Sequence, residues 1–280
     1  MDKNKISERH SGKQKKRDTG KNSGRGLREK ENRRNSKSLK NGPDTIRLNK
    51  FISVSGLCSR READEIIKNG FITVNGKKVT TLGTVVLSKD DVRYKGKRLS
   101  AEKKVYILLN KPKGYVTTMH DPHAEKTVIE LLGNALPERV YPVGRLDKET
   151  TGVLLLTNDG ELAGRLTHPR YDRKKIYHAG LDKPVTKEDM YRLVNGIDLE
   201  GDVVVADSVA YIDPLDKTNI GLELHSGKNR VVRKMFETLG YRVKKLDRVY
   251  FAGLTKKNVP RGKWRFLTIK EINMLKRGIF

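Results

Sequence analysis

One cysteine among 280 residues removes two common explanations of stability and chemistry. Cys58 has no partner for an intramolecular disulfide and no His or Cys neighbour at metal-ligand spacing, so neither a disulfide framework nor a zinc site is indicated. It reads as a small core residue. No apolar run approaches the roughly 20 residues that a membrane helix needs. Residues 1–5 are basic but are not followed by the apolar stretch of a secretory signal, so the expected location is the cytoplasm, with no membrane partner. Acidic residues are scarce as well: 34 Asp and Glu stand against 60 Lys and Arg, for a formal charge of +26. A surface of that sign is built to approach polyanions.

The length suits about two domains. Residues 1–43 hold 15 Lys or Arg and 5 Asp or Glu, a net +10, with Gly, Ser and Asn filling most other places. Such a segment cannot bury a core and is expected to be a disordered tail; it reads as an arm that gathers phosphates, the plainer alternative being a solubilising tail.

The character changes at Ile46. Ile46, Leu48, Phe51, Ile52 and Val54 fall at near-helical spacing, and Gly56 stops the segment. Ser59 and Glu62 have the spacing of a capping box, which opens a second helix through Ile66 and Ile67 that ends near Gly70. Phe71 and Thr73 then read as strand, and Asn75-Gly76 as a hairpin turn. Beyond a polar link near residues 100–104, strand-like runs at Val105–Leu109, Val153–Leu156 and Ile220–Leu224 alternate with helical segments. Thr186 is a good helix start and Gly196 a good stop. This predicts an α+β domain with a mainly antiparallel sheet.

The chemistry is placed in the glycine-bracketed stretch Gly144-Arg145-Leu146-Asp147-Lys148-Glu149-Thr150-Thr151-Gly152, followed by Val153-Leu154-Leu155-Leu156-Thr157-Asn158-Asp159-Gly160. A carboxylate in a protein that approaches polyanions would weaken the contact, so Asp147 needs a reason to be there. A turn aspartate satisfying backbone N–H groups would be the ordinary one. Further on, Gly227-Lys228-Asn229-Arg230-Val231-Val232-Arg233-Lys234-Met235 leads into a helix expected to start near Asn229, with Val232, Met235, Phe236 and Leu239 on its buried face. Arginines in a first helical turn oppose the helix dipole and ask for an anionic partner. Gly227-Lys228 lacks the upstream glycine and the following Ser or Thr of a phosphate loop, which leaves nucleotide hydrolysis unsupported.

These segments resemble the catalytic motifs of pseudouridine synthases, in the branch that includes the bacterial ribosomal small-subunit enzyme A and large-subunit enzymes B, E and F. Residues 44–101 likewise resemble an S4 RNA-binding module, with Arg60, Arg61 and Lys68 on its exposed face. The resemblance implies domains at 1–43 (tail), 44–101 (S4-like) and 102–280 (pseudouridine synthase fold), and a reaction that uses no cofactor and no metal. It makes Asp147 the catalytic carboxylate, Arg233 its partner, Tyr177 the ring that stacks under the uracil, and Arg145 the residue that enters the helix where the target base leaves. Lys228 and Arg230 become RNA contacts. Val231 departs from the family, where Gln or Glu is common. Lys111-Pro112-Lys113-Gly114 resembles a family turn near the active site, and His168 takes a structural or RNA-facing role. The segment Arg261-Gly262-Lys263-Trp264-Arg265 resembles the B and F enzymes, which act on large-subunit RNA, more than the enzyme that acts on small-subunit RNA.

The expected partner is ribosomal RNA, 23S RNA or the assembling large subunit, met by a monomer. The alternatives are the same chemistry on 16S RNA, or a non-catalytic S4-type assembly factor. A hydrolase of a glycosidic bond would need a second carboxylate, and no paired motif stands out.

Overall fold

The computed structural model describes residues 44–119, 126–171 and 173–279. The basic segment 1–43 lies outside the described residues.

The first unit runs β1 (Thr45–Arg47), α1 (Leu48–Val54), α2 (Arg60–Lys68), β2 (Ile72–Val74), β3 (Lys77–Val79), β4 (Val85–Leu87), β5 (Val92–Tyr94) and β6 (Lys97–Arg98). Ile46 is a correction to the expected helix: it sits in β1, paired antiparallel with Val86 of β4. Three residues of strand carry too little period to be told from a helix start. The capping box at α2 is present, with Glu62 N donating to Ser59 Oγ at 3.3 Å and Ser59 N donating to Glu62 Oε2 at 2.7 Å. Asn75 and Gly76 both have positive φ, 50° and 78°, which is the backbone of a tight hairpin turn. Leu48, Ile52, Cys58, Ala63, Ile67, Ile72, Val86 and Val92 close a core of their own, so Cys58 is the buried small residue expected.

The second unit is organised by two apolar strands buried on both faces. In β7 (Tyr106–Lys111), Ile107 and Leu109 enter one core while Tyr106 and Leu108 enter another; in β9 (Thr151–Thr157), Leu154 and Leu156 alternate in the same way with Val153 and Leu155. A strand covered on both sides has no polar face, which is why these runs read as continuous apolar stretches. After β8 (Tyr141–Pro142), β9 and α3 (Gly160–Thr167) come β10 (Lys175–Leu181), α4 (Lys187–Asn195), β11 (Ile197–Leu199), β12 (Asp202–Val204), β13 (Ser208–Asp213), β14 (Asp216–Leu224), α5 (Val231–Thr238), β15 (Val243–Phe251), β16 (Leu254–Thr255), β17 (Trp264–Phe266) and α6 (Ile269–Arg277). Seven strands form the main path in the order β13-β14-β10-β15-β9-β7-β17, with β16 on β15 and β8 on β9. The β15–β9 pair is parallel and the other ladders of this sheet are antiparallel. Helices α4 and α5 cover one face through Leu193, Val232, Met235 and Phe236; α3 and α6 cover the other through Leu162, Leu166 and Leu275. The architecture is α+β, as expected.

The units meet where Glu102 N donates to Val54 O and Lys50 pairs with Glu161 at the start of α3, at 2.8 Å. No helix of the described residues is long and apolar enough to cross a membrane.

Candidate active site

Asp147 stands in the loop between β8 and β9, which Gly144 (φ 75°) and Gly152 (φ 107°) bend at either end. At Gly152 a side chain is excluded by space as well as by dihedral: a Cβ would lie 2.1 Å from Arg248 O. The loop is tied down by its carbonyls. Lys111, at the end of β7 and 0% exposed, donates from Nζ to the carbonyl oxygens of Asp147 (3.0 Å), Thr150 (2.9 Å), Lys148 (3.2 Å) and Pro112 (3.2 Å). Thr117 Oγ1 donates to Leu146 O at 2.7 Å, and Gly114 N donates to Lys148 O at 2.9 Å. The turn from Lys111 to Gly114 is therefore the clamp of the Asp147 loop. Burial draws the Lys111 ammonium down to about 8, against the opposing pull of the Asp147 and Glu149 charges.

The Asp147 side chain, 30% exposed, faces Arg233. Arg233 lies in the first turn of α5, 8% exposed, with Nη1 donating to Val243 O at 2.9 Å and Nε 3.9 Å from Asp147 Oδ2. That distance is an ion pair without a hydrogen bond, and Nε has no other partner. Helix α5 begins two residues later than expected. Arg230 adopts a left-handed φ of 50° as its N-cap, so it belongs to the preceding turn rather than the first helical turn. Val231 is buried in the apolar core instead of making a polar contact.

Asp147 opens into a cleft of about 470 Å³, lined also by Arg145, Tyr177, Lys175, His225, Lys228, Arg230, His168 and Arg248. Asp147 is the one acidic residue lining it among the described residues. Tyr177, on β10, is buried at the base of the cleft. Arg145 and Arg230 are exposed on its rim, and Lys228 is held at 2.9 Å by Asp202. Arg60, Arg61 and Lys68 are exposed on α2 as expected and do not line the cleft; Lys68 pairs with Glu65 at 2.7 Å.

The second aspartate of the motif, Asp159, does structural work. Asp159 caps α3 by accepting from Leu162 N, and also accepts from Tyr106 Oη at 2.8 Å and Lys104 Nζ at 3.0 Å. Burial pushes its carboxyl up, but these donors bring it below the usual range. His168, at the end of α3, accepts from Arg170 N through Nδ1 and packs edge-on to Tyr171.

Three cleft residues escape sequence reasoning. His225 is paired through Nδ1 with Asp207 at 2.8 Å, Lys175 Nζ donates to His225 O at 2.7 Å, and Arg248 lies on the floor. The first two sit in ordinary-looking strand ends. The third carries a faint signal, an arginine on the apolar side of an alternating strand.

A carboxylate aimed by a buried guanidinium, beside a ring that can stack on a base and under a basic rim, is equipped to act on a nucleotide sugar. Comparison with known proteins agrees. The family model described as RNA pseudouridylate synthase matches residues 105–238, and the S4 domain model matches residues 46–92. The chain is 42% identical over 234 residues to the ribosomal large subunit pseudouridine synthase B of Bacillus subtilis (strain 168), across 82% of this chain and 95% of that protein. It is 38% identical to the dual-specificity RNA pseudouridine synthase RluF of Escherichia coli (strain K12), across 82% of this chain and 78% of that one. A crystal structure of a pseudouridylate synthase superposes with a TM-score of 0.59 at 29% identity, covering 82% of this chain and 99% of the other. The chain belongs to the RNA pseudouridylate synthase family, as an S4 domain followed by the synthase domain. It is a pseudouridine synthase.

Proposed function

We propose that the chain isomerises one uridine of ribosomal RNA, in the large-subunit (23S) molecule, with Asp147 as the catalytic carboxylate. In this reaction the bond between uracil N1 and ribose C1′ breaks, the base turns, and a bond forms between C5 and C1′. C5 loses its proton and N1 ends with one, so the product is an isomer. The chemistry asks for one carboxylate at the sugar and a surface that holds the detached base. Asp147 supplies the first, whether it attacks C1′ or removes a ribose proton, and Tyr177 the second. Arg233 keeps the carboxylate aimed, since its buried guanidinium offers the opposite charge at 3.9 Å. The observation that carries this reading is that, among the described residues, a single acidic side chain faces the cleft and a buried arginine backs it. A glycosidase would need two carboxylates there.

Extracting the base costs a few kcal/mol, least where it is unpaired or strained, so the target lies in or beside a loop or bulge. Arg145 enters the gap that the base leaves, because a planar guanidinium can stack on bases and pair with phosphate. Lys228 and Arg230 hold the backbone at the rim, while Arg60, Arg61 and Lys68 dock a second part of the RNA. In this reading residues 44–101 are the docking domain, 102–280 the catalytic domain and 1–43 an electrostatic arm, on a cytoplasmic monomer. The large-subunit target is supported by the name of the Bacillus subtilis relative and by the segment from Arg261 to Arg265.

Pseudouridine mapping of ribosomal RNA from cells with and without the protein tests this. The expected result is the loss of a site in large-subunit RNA. Loss confined to small-subunit or transfer RNA would overturn the target, and no loss in any RNA would overturn the reading.

A further inference from the structure

Arg248 is a buried charge with an unmet donor. It lies in the middle of β15, between β10 and β9, with Tyr177 and Gly152 as its Cα partners. It is 3% exposed. Its Nε donates to Val153 O at 2.9 Å, and its guanidinium carbon sits 4.6 Å from the centre of the Phe251 ring. Nη2 is sealed from water with no hydrogen-bond partner. The adjacent carboxylate cannot help, because alternate residues of a strand face opposite ways and Asp247 is held by Arg261 and Lys256.

A buried guanidinium cannot shed its proton, and each donor left without an acceptor carries a desolvation cost. An apolar side chain of similar length would fill this place more stably. Arginine there is a loss for folding, and the cleft it lines shows where the return lies. Side chains directly across a ladder share a face, with Cβ atoms about 5 Å apart, and Tyr177 and Arg248, paired in this way, both line the cleft. Phosphates have partners higher up, in exposed Arg145, Lys228 and Arg230 on the rim. What reaches the floor is the base.

We propose that Arg248 is a substrate-binding residue that donates a hydrogen bond to a ring carbonyl oxygen of the target uracil. This rests on the reading of Tyr177 as the surface on which that base stacks. The contact gives the cleft a means of telling uracil from a ring that carries an amino group at the same edge, since two donors facing each other repel. It also holds the ring after the bond to the sugar breaks, when stacking alone would let it slide.

The test uses the full chain, an RNA carrying the target uridine, and two variants, Arg248→Met and Arg248→Lys. Single-turnover rate, RNA affinity and thermal stability are measured for each. The expected result for Arg248→Met is a rate lowered about 30-fold or more, RNA affinity within about three-fold, and a melting temperature equal to or above that of the parent. Arg248→Lys should recover part of the rate, since it keeps a donor but loses the planar fork. A purely structural arginine would give the reverse pattern, with stability lost and the rate per folded molecule kept.

The second readout replaces the target by 2-thiouridine or 4-thiouridine, whose sulfur accepts hydrogen bonds weakly. One of the two should slow the parent more than Arg248→Met, because the variant has no donor to lose. Equal slowing of parent and variant by both analogues, or an Arg248→Met rate within three-fold of the parent, would overturn the contact. If instead a methylphosphonate at the target slowed the parent and not Arg248→Met, the partner would be a phosphate and the base contact would be wrong. A parent inactive on every RNA offered would overturn the functional reading beneath this one, whereas an active parent with an indifferent Arg248→Met overturns this contact alone.

Discussion

Arg233 Nε stands 3.9 Å from Asp147 Oδ2, while Nη1 of the same guanidinium is fixed at 2.9 Å by Val243 O. The arginine is anchored from behind and reaches forward, short of a hydrogen bond. In the proposed role such a contact would tighten when substrate closes the site, as hydrogen bonds in enzyme active sites often do. Arg233→Ala should lower the single-turnover rate about 100-fold, because the carboxylate loses its aim, and misplacement on the order of an ångström can cost that much. Arg233→Lys should recover little, since a lysine cannot bond Val243 O and approach Asp147 at once. A folded, fully active Arg233→Ala protein would count against the pair.

Gly152 sets the far end of the loop. With φ at 107° and a would-be Cβ 2.1 Å from Arg248 O and 2.5 Å from Asp247 Oδ1, Gly152→Ala must push two strands apart or flip the loop. Urea unfolding should register a loss of roughly 2–4 kcal/mol, with activity falling further than stability. A change under about 0.5 kcal/mol would mean the ladder gives way there at little cost.

Lys111 gives the site a pH dependence. Its ammonium titrates at about 8 instead of the ordinary 10.5, because burial penalises the charge more than Asp147 and Glu149 restore it. Below that pH three N–H donors serve the loop carbonyls; above it the neutral amine has two. Turnover should fall as pH rises through about 8. Stability moves the other way: between 8 and 10.5 the unfolded chain binds more protons than the native one, so this residue's contribution to the unfolding free energy rises with pH. Lys111→Met should be slow at every pH and should lack both trends. A parent whose rate stays flat from pH 7 to 9 would contradict the assignment.

Removing residues 1–43 takes away a net charge of +10. RNA affinity should weaken chiefly at low to moderate salt, and the slope of log affinity against log salt should become shallower, because fewer counterions are released on binding. Rates on saturating RNA should be kept. Equal slopes for the full and shortened chains would show that the arm does not touch RNA.

The positions of Asp147 and of the capping box at Ser59 are legible in the sequence because each is a local event. A glycine-bracketed turn or an S-x-x-E spacing carries its geometry within a few residues. Ile46 reads as helix because its strand has only three residues and its partner, Val86, lies 40 positions away. The start of α5 is displaced by the left-handed backbone of Arg230, a conformation few side chains adopt and composition does not signal. Lys111 can be assigned to the right neighbourhood but not to its task, since that depends on loop carbonyls about 40 residues further along the chain. Arg248 shows in the sequence only as a faint anomaly, an arginine within an otherwise apolar strand face. Its meaning depends on which strands flank β15, and a parallel β15–β9 pair inside an otherwise antiparallel sheet is not written in any local pattern.

The most direct test is the amount of pseudouridine formed on ribosomal RNA by Asp147→Asn beside the parent, with RNA affinity measured on the same preparations. The substitution removes the carboxylate and one negative charge from a basic cleft. Product should vanish while affinity stays within a few-fold or tightens. Turnover by Asp147→Asn at a rate comparable to the parent would exclude Asp147 as the catalytic group and contradict the account at its centre.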